Sequence, residues 1–398
     1  MDPCARQSLV RFSPNLERNR ITRAVDEARR AGRRLVDLTV TNPTTIGIEY
    51  PPDLLAPLAS PAALTYAPHP FGAPEARAAV AADYARRGVH VDPERIVLTA
   101  STSEAYSLLF KLLCAPAGDA VLVPVPSYPL FEHLTTLDGV KAIVYPLEFQ
   151  GRWMVAFDDV DRVWTETVRA VLAVSPNNPT GSVLAADEVD ELSARCARRD
   201  AALIIDEVFA DYPFATAADR RQPETARAGA PPCLTFRLGG LSKSAGLPQV
   251  KLGWIAVAGP DAAVGDALDR FEVVCDAYLS VSTPVQVAAP QLIAAGAAIR
   301  ARIAERIDAN WCTLQTCAAR YRSIELLPIE AGWSAVLRVP SVRGEEDLVV
   351  DLITRDGVLV HPGFFFDFPR EAFVVVSLLP EVGLFQRGIE AVMERAHA

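Results

Sequence analysis

The residues best suited to chemistry lie in one stretch of the 398-residue chain, LGGLSKSAGLPQVKLGW at positions 238–254. Lys243 sits there among small and apolar neighbours, and a second lysine, Lys251, follows eight residues on. An amine that loses part of its hydration becomes less basic and more nucleophilic toward carbonyls. Gly and Ser beside it allow backbone donors close to a phosphate, and Lys251 would add positive charge to that phosphate. A surface loop carrying two solvated lysines fits the same letters, so the neighbouring elements have to decide.

Those elements alternate. Short apolar runs at 95–100, 120–123, 141–147, 170–174, 201–205, 234–238 and 252–257 read as strands. Helical stretches at 75–87, 105–114 and 186–198 separate several of them, and residues 126–128 are expected to start another helix. Strands alternating with helices predict βαβ units and a mostly parallel sheet, and uninterrupted apolar runs suit strands buried on both faces. Before them come an expected helix over 21–31, with Ile21, Val25 and Ala28 on one face, a short strand entering the turn at 35–44, and a Pro- and Ala-rich connector over 51–74. After Pro260 the chain is helix-rich, at 262–277 and 284–320. Strands are expected at 334–339, 358–360 and 373–379, with helices at 346–354 and 382–396. The fold class is therefore α/β, a mostly parallel sheet flanked by helices, with a smaller α+β domain. The expected division is an N-terminal arm and part of the small domain over 1–50, a large domain over 51–290, and the rest of the small domain over 291–398.

Composition narrows the function. The net charge of −10 argues against a nucleic-acid-binding face. Seven cysteines are spread singly without a CxxC pair, which suits reduced thiols in a cytoplasmic protein. Five histidines without an HExxH pattern give no expectation of a metal. The N-terminus has no apolar leader segment and no run is long enough to span a membrane.

In a sheet of this kind ligands bind beyond the carboxyl ends of the strands, and polar clusters fall there. Ser101, Thr102 and Ser103 follow one strand and open a helix, as a phosphate site or as ordinary capping with Glu104 in the first turn. Ser175-Pro176-Asn177-Asn178-Pro179-Thr180-Gly181 follows another, and turn formation alone would account for it. Asp206 ends the strand at 201–205, where a buried acid is costly unless paired. A protonated ring nitrogen, a helix N-cap or a structural ion pair would each serve.

Taken together, SPNNPTG at 175–181, DEVF at 206–209 and LSKSAGLPQVKLGW at 241–254 resemble the fold-type I enzymes that depend on pyridoxal 5′-phosphate (PLP), aminotransferase class I/II. The resemblance runs over roughly 35 to 395. It implies that Lys243, with Ser242 beside it, forms the internal aldimine and later moves the substrate proton. It implies that Asp206 keeps the pyridine nitrogen protonated, that Asn178 bonds the phenolic oxygen, and that Tyr128 stacks on the ring. Ser101, Thr102 and Ser103 would cradle the phosphate, and Tyr66 would reach the phosphate of a neighbouring subunit in a homodimer. The activity implied is transfer of an amino group between an amino acid and a 2-oxo acid. The alternative is a C–S β-lyase or other carbanion chemistry on the same fold. A cofactor-sensing regulator would need a DNA-binding domain, and only some 34 residues precede the family-like region.

Several positions depart from the family. Lys251 stands where an arginine is usual, losing a planar fork. Gly240 stands where a phosphate-binding serine is common, so a looser phosphate grip is expected. Phe209 replaces a tyrosine that bonds the phenolic oxygen, which implies an internal aldimine that keeps its proton to higher pH. Val375 takes the place of the arginine that clamps the substrate carboxylate. Arg338, Arg20 and Arg23 are candidate substitutes for it, with Thr41 and Asn178 near the substrate. The segment from His361 to Phe368 corresponds to a region that faces the substrate in the family, and its phenylalanines at 364–366 and 368 hint at an apolar side-chain pocket, with core packing the alternative.

Overall fold

The computed structural model describes residues 18–214 and 230–398. The first part of the expected N-terminal arm, and Cys4 with it, lies outside the described residues. The helix expected over 21–31 is α1 (Arg20–Arg30). Asn19 caps it by accepting from Thr22 N, and Ile21, Ala24 and Ala28 form its buried face. The strand expected over 35–44 shrinks to β1 (Val36–Asp37), because Asn42 and Pro43 open a 3₁₀ turn at Pro43–Thr45.

The large sheet is built from β2 (Ile96–Thr99), β3 (Ala120–Val125), β4 (Lys141–Phe149), β5 (Trp153–Val155), β6 (Val168–Val174), β7 (Ala202–Asp206), β8 (Thr235–Gly240) and β9 (Gly253–Ala258). Their order is β2-β9-β8-β7-β6-β3-β4-β5. Neighbours from β8 through β7, β6 and β3 to β4 pair parallel, as expected. β9 runs antiparallel to both β2 and β8, and β5 folds back on β4. β8 and β9 are linked by the dozen residues of the Lys243 segment, at the lower limit for a parallel crossover, and they pair antiparallel.

Helices cover both faces. On one side α3 (Thr102–Leu113), α4 (Phe131–Asp138) and α8 (Asp261–Asp276) bring Ala105, Leu109, Phe131 and Phe271 onto Val97, Leu172, Ile204 and Phe236. On the other, α5 (Phe157–Val163) and α6 (Ala186–Arg198) set Val160, Val189 and Leu192 against Val171, Leu203 and Ile205. The short α7 (Leu241–Ser244) carries Lys243 directly off β8. The helix expected from 126 begins at Phe131 instead. Pro129 disfavours helical geometry at Tyr128, leaving 126–130 as a loop.

The long α9 (Thr283–Ala318) packs with α2 (Pro74–Arg86) and runs unbroken through Pro290. The smaller sheet has the order β10 (Glu325–Leu326), β11 (Ser334–Arg338), β14 (Phe373–Ser377), β13 (His361–Pro362), all antiparallel. β1 pairs in parallel with β12 (Val358–Leu359). α10 (Glu345–Asp351) and α11 (Val382–His397) complete this layer. Ser377 N donates to Leu38 O at 2.7 Å, so residues 37–41 lie against β14. No described helix is long and apolar enough to cross a membrane.

Candidate functional site

A cavity of about 440 Å³ opens where β6, β7 and β8 end and α3 begins. Strand topology makes this the place where polar groups from separate segments converge. It is lined by Lys243, Asp206, Asn178, Tyr128 and the Ser101–Ser103 turn, together with Ser242, Lys251, Phe209, Thr41 and Val375.

Lys243 is held by its backbone. Tyr212 Oη donates to Lys243 O at 2.6 Å, Arg300 Nε to Ser244 O at 2.9 Å, Tyr50 Oη to Gly246 O at 2.7 Å, and Ser244 Oγ to Gly240 O at 3.0 Å. A Cβ on Gly296 of α9 would lie 2.6 Å from Ala245 Cβ, so the long helix packs directly on this turn. The lysine amine lies 5.2 Å from the ring centre of Trp333 and 5.8 Å from that of Phe209. Burial pushes the Lys243 ammonium below its ordinary pKa, and the Asp206 charge opposes that fall. Tyr212 therefore serves the backbone of Lys243, and its hydroxyl does not replace the one missing at Phe209.

Asp206 is 8% exposed. Its Oδ1 accepts from Val208 N at 3.1 Å and its Oδ2 from Tyr106 Oη at 2.9 Å. Burial raises its pKa to about 6, and the Val208 N–H and the Tyr106 hydroxyl hold the rise in check. Among the described residues no cation pairs with this carboxylate directly, the Lys243 charge acting on it from a distance, and a protonated ring nitrogen would supply one.

Asn177 ties two loops together. It accepts from Ser127 Oγ at 2.9 Å and donates to Pro126 O at 3.0 Å and Thr180 Oγ1 at 2.8 Å. That staple sets Tyr128, 39% exposed, beside the turn bearing Asn178. Asn178 Oδ1 in turn accepts from Ser334 Oγ at 3.3 Å.

Ser101 caps α3 by accepting from Glu104 N at 3.1 Å, and Ala100 N donates to Glu104 Oε2 at 2.6 Å. Capping and anion binding are compatible here, because the first-turn N–H groups of Thr102 and Ser103 find no partner within the helix. A Cβ at Gly253 would lie 3.0 Å from Ser101 C and 3.2 Å from Thr102 N. A Cβ at Gly240 would meet Leu252 O at 3.1 Å, which gives a steric reason for the serine's absence. Lys251 adopts φ 59°, a left-handed conformation costly for a lysine, at the rim of the same turn. The donor set and the bare backbone around Gly253 fit the phosphate, ring nitrogen and phenolic oxygen of PLP. Gly253→Ala is expected to shift the Ser101–Thr102 backbone and weaken PLP binding by about 10-fold. Fluorescence titration with PLP checks this; unchanged affinity would remove this turn from the phosphate site.

Other candidates lie elsewhere, and their positions correct the expectation of a substitute carboxylate clamp. Arg338 ion-pairs with Glu325 at the far end of β11, about 13 Å along the strand from Ser334. Arg20 pairs with Glu346 and Asp347, and Arg23 is exposed on α1. Among the described residues no arginine lines the cavity. Tyr66 is 71% exposed and lines a separate cleft with Leu279 and Gln286. Tyr106, Trp333 and Ser334 are site residues that sequence reasoning missed, whereas His361 opens the 361–368 segment that the resemblance had placed toward the substrate. A tyrosine amid the apolar residues of α3 was the one available signal, since a buried hydroxyl needs a partner.

The family model for aminotransferase class I and II matches residues 53–381. A glutamate-pyruvate aminotransferase of Haemophilus influenzae is 23% identical over 90% of this chain and 89% of its own. An alanine aminotransferase of Mycobacterium tuberculosis is 25% identical over 92% of this chain and 85% of its own. Among solved structures, an alanine aminotransferase from Pyrococcus furiosus shares the fold with a TM-score of 0.83, at 20% identity over 94% and 95% of the two chains.

Proposed function

Because the chain belongs to the class I and II aminotransferases, PLP-dependent enzymes that move an amino group between an amino acid and a 2-oxo acid, we propose that Lys243, Asp206, Asn178, Tyr128 and the Ser101–Ser103 turn are the parts of this chain that do so. The observation that carries this reading is the meeting in one cavity of a desolvated lysine, a buried carboxylate in want of a cation, and a helix N-terminus with free N–H groups.

When bound, PLP supplies a carbonyl carbon for amines and a protonated ring that withdraws electrons from the substrate Cα. Thr102 N, Ser103 N and the hydroxyls of Ser101 and Ser242 bind the phosphate, with Lys251 adding charge. Asp206 holds a proton on the ring nitrogen, and Tyr106 and Val208 orient its two oxygens. Asn178 donates to the phenolic oxygen, and Tyr128 fixes the ring plane. Lys243 Nζ would hold the cofactor before substrate arrives and would serve as the base that moves the proton at the substrate Cα. Burial lowers its basicity and so favours the free amine that this role needs. Phe365, Phe366 and Trp333 keep water from the reacting atoms.

The name of the alanine aminotransferase supports a small neutral amino acid as one substrate and its 2-oxo acid as the product, and that of the glutamate-pyruvate aminotransferase supports glutamate as a second amino acid. We also divide the chain into a large domain of 51–290 and a small domain of 1–50 and 291–398, the second boundary falling at Pro290 within α9. The exposed Tyr66 supports a cytoplasmic homodimer in which it reaches the other subunit's phosphate, and the described cysteines are all unpaired. The test adds single amino acids to PLP-loaded protein with no 2-oxo acid present. One equivalent of 2-oxo acid per site, with loss of the yellow absorbance, is expected. Continuing release of pyruvate or thiol from a cysteine conjugate would overturn it in favour of a lyase.

A further inference from the structure

An amino acid entering this cavity brings a carboxylate, and a carboxylate leaving water needs donors. Both lysines on the wall belong to the cofactor side, and no arginine among the described residues reaches the cavity. The wall formed by the small sheet must therefore provide the donor. Val375 and Ser377 face the cavity along β14, two residues apart as strand alternation requires. Val375 offers nothing polar. Ser377 Oγ gives its proton to Val40 O at 2.6 Å. Thr39 Oγ1 donates to Asp37 Oδ1 at 2.6 Å, and Ser334 Oγ donates to Asn178.

Three side-chain donors remain, the His361 ring, the Thr41 hydroxyl and the indole N–H of Trp333, the last buried without a partner in a side chain packed on Lys243 and Phe209. His361 is the direct cross-strand partner of Val375, so its side chain rises from the same face. Its ring is half-buried between Phe365 and Phe366, with ring centres 5.8 and 5.7 Å away. Among the described residues neither ring nitrogen has a hydrogen-bond partner. Thr41 reaches the same wall because the 37–41 segment is pinned by β12 on one side and β14 on the other.

We propose, resting on the amino-transfer reading above, that His361 assisted by Thr41 recognises the substrate carboxylate, and that the substrates are neutral 2-amino acids with apolar side chains. Burial holds the imidazole below its usual range and the nearby Asp37 opposes this. A neutral imidazole still keeps one N–H to donate. One N–H grips more weakly than a two-pronged guanidinium, and the surrounding phenylalanines offer nothing to a second carboxylate. Dicarboxylic amino acids are therefore poorer substrates than neutral ones, which would set this chain apart from the relative named for glutamate.

The test uses the PLP-loaded full chain and compares valine with isobutylamine, which lacks only the carboxylate. In the wild type valine reacts far faster than isobutylamine and faster than aspartate. In His361→Phe the KM for valine rises about 10- to 100-fold with the loss falling on KM rather than kcat, and the valine-to-isobutylamine ratio falls accordingly. His361→Asn, which keeps an N–H, recovers most of the loss. Thr41→Val is exposed and keeps the fold, and it raises KM by about three- to tenfold. Unchanged KM in His361→Phe or in Thr41→Val, or a wild type that accepts isobutylamine as well as valine, overturns the proposal while amino transfer stands. A wild type that transfers from no amino compound overturns the amino-transfer reading itself, and the subsite with it.

Discussion

Lys243→Ala is expected to slow amino-group transfer by on the order of 10⁴-fold or more, as loss of a nucleophile that also moves the proton does elsewhere. Lys243→Arg is expected to be equally inactive. The guanidinium keeps a cation beside Trp333 and Phe209 but never gives up its proton. The pair of variants separates the chemistry of the amine from the packing of its turn, which Tyr212, Arg300 and Tyr50 secure through backbone carbonyls alone. The measurement is 2-oxo acid released per site over hours. An arginine variant retaining a tenth of wild-type activity would show that a free amine at 243 is not needed.

Asp206→Asn carries the second large effect, and its sign reverses with the cofactor. The carboxyl's pKa lies at about 6 in the fold, against an ordinary value of 3.8, because burial disfavours the charge. For a pKa raised by folding, stabilisation is full below the unfolded value and is lost as pH rises through the folded one. Between about pH 4 and 6 the PLP-free protein therefore loses roughly 3 kcal/mol through this group. PLP-free Asp206→Asn is expected to melt higher than wild type at pH 8, with the difference closing toward pH 4. With PLP bound the order inverts, because a neutral amide cannot balance a protonated ring. Activity is expected to fall by about 10²- to 10³-fold, in line with loss of a preorganised electrostatic partner. Melting curves at several pH values, with and without PLP, check both halves. A variant that melts no higher without PLP and stays active with it would assign Asp206 a purely structural role.

What could be read from the sequence was what is local. The apolar runs at 120–123, 170–174, 201–205 and 234–238 are strands because buried parallel strands need no alternation. Lys243, Asp206 and Asn178 were legible because each stands at the end of such a run with its chemistry in neighbouring letters. The reversal of β9 was hidden, since a strand's letters carry no direction. Tyr128 was placed at a helix start, but Pro129 moves that start to Phe131. The contributions of Trp333 and Ser334 depend on β11 and β14 arriving from 90 or more residues beyond Lys243. Nothing in their own segments announces that approach. Arg338 and Arg23 were attractive for their charge alone, and ion pairing and exposure remove them from the site.

The central claim is that Lys243 is the residue that carries the cofactor. The direct measurement is to load the full chain with PLP, reduce it with borohydride, digest it and find the peptide that holds the pyridoxyl mass. The account predicts one site, Lys243, in the peptide running through Leu241 and Ser242. Label found on Lys251, or no covalent label from protein that binds PLP, would contradict it.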